Sequence, residues 1–317
     1  MFSNDFPAPK RLLDLNEEDK LRFISSFDYV FTDCDGVLWN RYEPIEGVGA
    51  AIGTLKSLDK HVVYVSNNSI RTFENYRKQL QKMGHDVDEV DIIQPVTSVI
   101  KYLKSVNFEG LIYAICAEQF LIGLTEAGFE VVRGPNEVQP ESLSLIIPTI
   151  FDRKLVKAVV IDYDYNFNYP KLMRAELYLK SDPECILIAG GTDHWTPIRQ
   201  KVNVIGPGHF VDILEKATGR KAIGLGKPGL QLGVQLMEQY GVQDSQRVLF
   251  VGDTIAQDVA FGKVAGFQTL LVLTGGTKMS DVMKLSGRDI APDYYTESFA
   301  DLRKVINDVQ IDKNKIL

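Results

Sequence analysis

Apolar runs of strand length alternate with amphipathic segments of helical period along this 317-residue chain, glycine and proline punctuate the joins, and two of the runs lead into aspartates. Together these observations predict an α/β protein with a mostly parallel sheet covered by helices. The first run, 29–32, leads into Asp33-Cys34-Asp35-Gly36. Extended backbone sends residues i and i+2 to one face, so Asp33 and Asp35 share a face at the carboxyl end of a buried strand. An Asp-Gly turn closing a strand would explain that pair alone equally well. Strand 62–65 ends in the polar loop Ser66-Asn67-Asn68-Ser69, and the helical period of 71–83 stops at Gly84, as helix ends prefer. Strand 111–116 and helix 117–127, closed by Gly128, repeat the pattern. Residues 143–150 and 158–161 are apolar runs read as strands. Helix 170–180 opens on Pro170, whose missing N–H is no loss in a first turn. After strand 185–189 comes helix 209–217, ended by Gly219, and then helix 228–240, which Lys227 and Pro228 are expected to open. Strand 248–251 runs into Asp253, with Asp258 five residues on, and 269–273 is the last clear strand.

Composition narrows the class. With 45% hydrophobic and 24% charged residues this is an ordinary globular chain, long enough for two domains. No apolar run approaches the ~18 residues of a membrane span, and the charged start lacks a signal-peptide core, so a cytoplasmic protein is expected. A net charge of −7 without a basic cluster argues against nucleic acid and anionic membranes as partners. Small anions stay compatible, because one metal ion and one lysine can dominate a local field. Cys34, Cys116 and Cys185 are too few and too scattered for a disulfide framework or a metal knuckle. His61, His85, His194 and His209 show neither metal spacing nor a triad setting, and core or surface roles are expected for them. Gly224, Gly226 and Gly229 match a dinucleotide fingerprint in letters but lack its βαβ context, and no P-loop occurs. Asn40 stands where a cysteine phosphatase would place arginine after Cys34.

Four places carry chemistry. Asp33 and Asp35 would repel each other and lose solvation unless a cation joined them, and Mg²⁺ is the usual hard partner for oxygen ligands. The free N–H groups and hydroxyl of 66–69 suit a phosphate, although a plain N-cap would use the same residues. A cation at a helix start, as expected for Lys227, conflicts with the helix dipole unless an anion binds there. Asp253 adds a second strand-end carboxylate able to reach a metal.

In this order DCDGVLW, VSNNS, GKP and GDTIAQD resemble the four motifs of the haloacid dehalogenase (HAD) superfamily, nearest to its 4-nitrophenylphosphatase-like branch, which includes phosphoglycolate and pyridoxal phosphate phosphatases. The resemblance implies a Rossmann-like, doubly wound parallel sheet core with an inserted α/β C2 cap. It implies Asp33 as nucleophile, Asp35 as general acid/base with its backbone carbonyl on Mg²⁺, and Asp33 and Asp253 as metal carboxylates. Ser66, Asn67, Asn68 and Lys227 would hold the phosphate. Ser66 follows Asp33 by 33 residues, too few for a domain, whereas Lys227 follows Ser66 by 161. The cap is therefore expected at 107–206, between core segments 1–106 and 207–317. Within it DYDYNFNYPKL resembles the substrate-specificity loop, with Asp164 and Asn166 as substrate-binding candidates. Relatives commonly have glycine in place of Asp162, often histidine in place of Asn166, polar residues at Gly190 and Gly191, and an aspartate at Ala256. A homodimer through the cap is the assembly the resemblance suggests.

The expected activity is Mg²⁺-dependent hydrolysis of a small phosphorylated metabolite through an aspartyl-phosphate. Two aspartates at the first motif distinguish it from a dehalogenase, whose halide leaves unprotonated. The alternative is a phosphate-ligand sensor or scaffold with vestigial chemistry, for which the departures at Asp162, Asn166, Gly190, Gly191 and Ala256 speak. Cys34, between the two aspartates, is either packing or a redox-sensitive thiol.

Overall fold

In the computed structural model, which describes residues 8–199, 202–285 and 290–309, the chain divides into two compact units. The first seven residues of the charged start lie outside that description. One unit comprises the chain up to Ser66, Phe73–Ile93 and the chain from Gly233. Its sheet has seven parallel strands in the order Lys10–Arg11, Tyr294–Thr296, Gln268–Val272, Val248–Gly252, Tyr29–Thr32, His61–Val65, Ile92–Ile93. The central strands are apolar on both sides, as parallel strands between helices must be. Val30, Val62, Tyr64, Leu249 and Val251 pack with Ala51, Ile52 and Leu55 of the Val48–Ser57 helix and with Leu302, Val305 and Ile306 of the Asp301–Asp308 helix. From Tyr29–Thr32 the chain moves to His61–Val65 on one side and later returns to Val248–Gly252 on the other, which makes this pair a topological switch point. Register sets Thr32 beside Val251 and Tyr64. Asp33, Ser66 and Asp253 consequently leave their strands at the same edge.

The other unit comprises Asn67–Thr72 and Gln94–Leu232. It has a five-stranded parallel sheet in the order Ile223–Gly224, Ile186–Ala189, Val156–Ile161, Leu111–Ile115, Val131–Val132. Alternation along its strands fills two cores. Tyr113, Ile115, Val159 and Ile161 face the Tyr169–Ser181 and Gly208–Thr218 helices, through Ala175, Leu179, Val211 and Leu214. Ile112, Ala114, Ala158 and Val160 face the Pro95–Ser105 and Glu118–Glu126 helices, through Val99, Leu103, Phe120 and Leu124. An antiparallel hairpin, Trp195–Arg199 with Val202–Ile205, precedes the Gly208–Thr218 helix. The insertion expected at 107–206 lies inside this unit, as does Lys227.

Two expectations require correction. Residues 143–150 form a helix, Leu143–Ile150, with Leu143, Leu145 and Ile147 exposed and Ile150 buried. A short apolar run does not declare its period, and Pro148, which has no N–H to give a sheet ladder, was the contrary signal. Lys227 and Pro228 do not open a helix, because the next one is Leu230–Tyr240. Gly229 donates its N–H to the Gly226 carbonyl at 2.7 Å, closing a turn that holds Lys227 ahead of the helix. The dipole argument for Lys227 falls with that placement. Among the described residues no helix is long and apolar enough to cross a membrane.

Candidate active site

Asp33 donates its N–H to the Val251 carbonyl at 2.9 Å, which continues the strand pairing one residue past Thr32. A tight loop follows, with Leu38 N–H on the Cys34 carbonyl and Gly36 N–H on the Trp39 carbonyl, both at 2.8 Å. Gly36 has φ +87°, and a Cβ there would lie 2.6 Å from Asp253 Oδ2, so both conformation and space demand glycine. Asp253 Oδ2 accepts the Gly276 N–H at 2.5 Å, and a Cβ at Gly275 would lie 2.0 Å from the same oxygen. Asp258 Oδ2 accepts three hydrogen bonds: from the N–H of Asp253 (3.1 Å), the N–H of Thr254 (3.0 Å) and the Thr254 hydroxyl (2.8 Å).

The result is a buried group of three carboxylates, Asp33, Asp253 and Asp258, each with an oxygen within 4.8 Å of the others. Anions so close and so poorly solvated raise each other's energy, and a divalent cation removes the conflict. Oxygen donors alone fit a hard ion of the Mg²⁺ type better than a thiophilic or imidazole-seeking one. Asp35 stands outside the group on its side chain: its Oδ1 accepts the Trp39 indole N–H at 3.0 Å. Ala256 lies in a short π-helical segment, Ile255–Val259, and its departure from the family pattern leaves Asp253 and Asp258 in the group. Ser66 is buried and its Oγ accepts the Tyr76 hydroxyl proton at 2.8 Å. Cys34 is fully buried in the main core cluster, which favours packing over redox chemistry.

The remaining candidates belong to the second unit. Asn67 brackets the Lys227 peptide: its Oδ1 accepts the Lys227 N–H at 2.8 Å and its Nδ2 donates to the Lys227 carbonyl at 2.9 Å. The same Nδ2 donates to Asp193 Oδ1 at 3.1 Å, and Asp193 Oδ2 accepts the Tyr163 hydroxyl proton at 3.0 Å. Gly226 is needed for close approach, since a Cβ there would sit 2.0 Å from the Gly190 carbonyl oxygen. The fingerprint-like glycines are thus packing residues. Asn68 Oδ1 accepts the N–H groups of Ile70 and Arg71, at 3.0 and 3.1 Å, so this side chain shapes the loop. Asp164 accepts the Asn166 N–H within its own loop at 2.8 Å and pairs with Lys171 Nζ of the Tyr169–Ser181 helix at 2.7 Å. Asn166 is exposed.

Asp162 is buried, with Oδ1 on the Tyr163 N–H at 2.6 Å. Burial pushes its carboxyl up to about 7. A Cβ at Gly190 would lie 2.3 Å from Asp162 Oδ2. The Asp162 carboxylate thus takes the room a side chain at 190 would need, which ties the two expected departures to a single contact. Sequence reasoning missed Trp39, Tyr76, Asp193 and the Gly275-Gly276 pair. For the last there was a signal, since adjacent glycines soon after a strand mark a close backbone approach.

Residues 30–130 match the haloacid dehalogenase-like hydrolase family, and residues 224–302 match a second description, HAD-hydrolase-like. Phosphoglycolate phosphatase 2 of Arabidopsis thaliana is 34% identical over 90% of this chain and 96% of its own length. Chronophin of Mus musculus is 29% identical over 88% of this chain and 93% of its own. The solved structure of a p-nitrophenyl phosphatase from Archaeoglobus fulgidus superposes with a TM-score of 0.72, at 24% identity, over 88% of this chain and 99% of that one. With the two parallel sheets and the strand-end carboxylates already described, these likenesses establish that the chain belongs to the HAD-like hydrolases, in the branch of phosphoglycolate phosphatases, chronophin and p-nitrophenyl phosphatases, and is a phosphatase.

Proposed function

We propose that this phosphatase is a Mg²⁺-dependent phosphomonoesterase that hydrolyses a small phosphorylated metabolite through an aspartyl-phosphate on Asp33. The observation that carries the proposal is the buried Asp33, Asp253 and Asp258 group. Asp33 and Asp253, with the Asp35 backbone carbonyl, would hold the ion, and Asp258 fixes the turn that presents Asp253. Bound magnesium would supply charge neutralisation on the phosphoryl oxygens. Asp33 attacks phosphorus in line and the ester oxygen leaves; Asp35 gives that oxygen a proton and then takes one from the water that opens the acyl phosphate. The indole N–H of Trp39 holds the Asp35 carboxyl by one oxygen and so sets its orientation. Ser66, with Asn67 and Asn68, orients the phosphate, and the Lys227 ammonium offsets its charge.

The segment 107–206 is assigned as the substrate-selecting cap, with Asn166 as a direct contact and Asp164 as the residue that shapes the loop around it. Phosphoglycolate and 4-nitrophenyl phosphate, from which the related phosphatases take their names, are the first substrates to try. The test is release of phosphate from a panel of small phosphomonoesters by purified wild type and Asp33→Asn, each with and without Mg²⁺. Turnover should require both Mg²⁺ and Asp33. A folded wild type that releases no phosphate from any ester in Mg²⁺ would overturn the proposal in favour of a phosphate-binding sensor or scaffold.

A further inference from the structure

The histidines that look unremarkable in sequence include two that the fold brings together. His194, His209 and Asp212 each place a potential ligand atom within 4.8 Å of the other two. His209 and Asp212 are three residues apart on the Gly208–Thr218 helix, hence neighbours on one of its faces. His194 arrives from the other side of a hairpin, and glycines make its approach possible. Gly206 donates its N–H to the His194 carbonyl at 2.8 Å, and Gly208 donates to the Asp193 carbonyl at 2.9 Å. A Cβ at Gly206 would lie 2.1 Å from the Asp193 oxygen, and one at Gly208 would lie 2.4 Å from the Thr192 oxygen. The backbone around His194 is thereby pressed against the start of the helix that carries His209.

Two further observations concern the side chains. His194 Nε2 and Asp212 Oδ2 are 2.8 Å apart, so a ring nitrogen and a carboxylate oxygen already converge. His209 Nε2 is enclosed by protein and has no hydrogen-bond partner among the described residues. The His209 ring is held edge-on between His194 and Trp195, with centroids at 4.9 and 5.1 Å. A buried imidazole nitrogen without a partner is unfavourable unless something binds it.

We infer that His194, His209 and Asp212 form a second metal site, which takes a borderline divalent transition ion of the Zn²⁺ type. Two imidazoles and one carboxylate are a donor set for zinc, with a fourth position left to water, and a poor set for Mg²⁺. Bond lengths of about 2.0–2.2 Å put tetrahedral donors roughly 3.3–3.5 Å apart, so small side-chain rotations from the present spacing suffice. The ion would clamp the start of the hairpin onto the helix. It would be chemically sorted from the all-carboxylate group, which offers no nitrogen.

The test is Co²⁺ titration of the full chain in excess Mg²⁺, read by visible absorption, followed by Zn²⁺ displacement. One equivalent of Co²⁺ should bind with the intense bands of a nitrogen-ligated, four- or five-coordinate ion, and Zn²⁺ should bleach them. The signal should persist in Asp253→Asn, which disables the all-carboxylate group. His209→Ala should weaken binding by at least about tenfold, and His194→Gln, at a half-exposed side chain, should do the same. No Co²⁺ bands in wild type, or bands unchanged in His194→Gln, would overturn the inference and leave His194 and Asp212 as a surface hydrogen-bonded pair.

Discussion

Gly36 and Gly190 are glycines for want of room, and each makes a prediction at the level of single atoms. At Gly36 a methyl group would meet Asp253 Oδ2 at 2.6 Å on a backbone of φ +87°. Gly36→Ala should therefore lower kcat by about 100-fold or more through displacement of Asp253, since a misplacement of about 1 Å can cost that much; phosphate release by a folded variant measures it. Gly190→Thr should destabilise the protein by about 1–3 kcal/mol through overpacking against Asp162, and Asp162→Gly in the same chain should restore most of the loss. Thermal unfolding of the single and double variants decides, and simple additivity would refute the coupling. Asp162 and Gly190 were both visible in the sequence as departures from the family, but a contact between residues so far apart is tertiary, and only the fold shows that one compensates the other. Trp39→Phe should keep most of the packing while removing the N–H on Asp35. Turnover should fall by about tenfold for alkyl phosphates, which need a proton on the leaving oxygen, and much less for 4-nitrophenyl phosphate. Equal losses would show that Trp39 serves packing alone.

At the scale of elements, legibility followed burial. The strands Tyr29–Thr32, His61–Val65, Val156–Ile161 and Val248–Gly252 have apolar residues on both faces, and that continuity announces them. The helix Leu143–Ile150 misled because it keeps apolar residues exposed, so its composition reads as core where its position is surface. The Glu17–Ser25 helix was legible but passed over: Asn16 caps it, accepting the Asp19 N–H, and three acidic residues fill its first turn. The candidate motifs at Asp33, Ser66 and Asp253 were legible because each follows directly on a buried apolar strand, so that a polar group after an apolar run marks the place. The histidine and aspartate cluster was not, because a hairpin and a helix start bring it together. The turn after Val248–Gly252 carries a prediction of its own. Asp258→Ala would strand three donors around Asp253 and should destabilise the protein by about 3 kcal/mol. It should also raise the Mg²⁺ concentration needed for half-maximal activity, and an unchanged Mg²⁺ dependence would show that the turn holds without it.

Across the whole molecule, stability should respond to pH through Asp162. Its carboxyl is pushed up to about 7 from an ordinary 3.8, so the folded chain holds a proton that the unfolded chain releases. Stability from this group is full below about pH 4 and is lost as pH rises through about 7. Asp162→Asn, which cannot ionise, should gain melting temperature over wild type progressively between those limits; a difference independent of pH would show that Asp162 does not titrate there. A buried ion pair in the same unit acts otherwise: Lys171→Met should cost about 3–5 kcal/mol, because Asp164 would be left enclosed without its partner. The Asn67 amide, finally, joins the backbone of Lys227 across 160 residues of sequence, giving and receiving one hydrogen bond. A side chain here does what a neighbouring strand would do, with Thr192 donating to the same Lys227 carbonyl and Asp193 accepting from the same amide. Whatever lies between can then vary in length while 190–193 stay in place, so those four residues mark the fixed frame of an otherwise replaceable cassette.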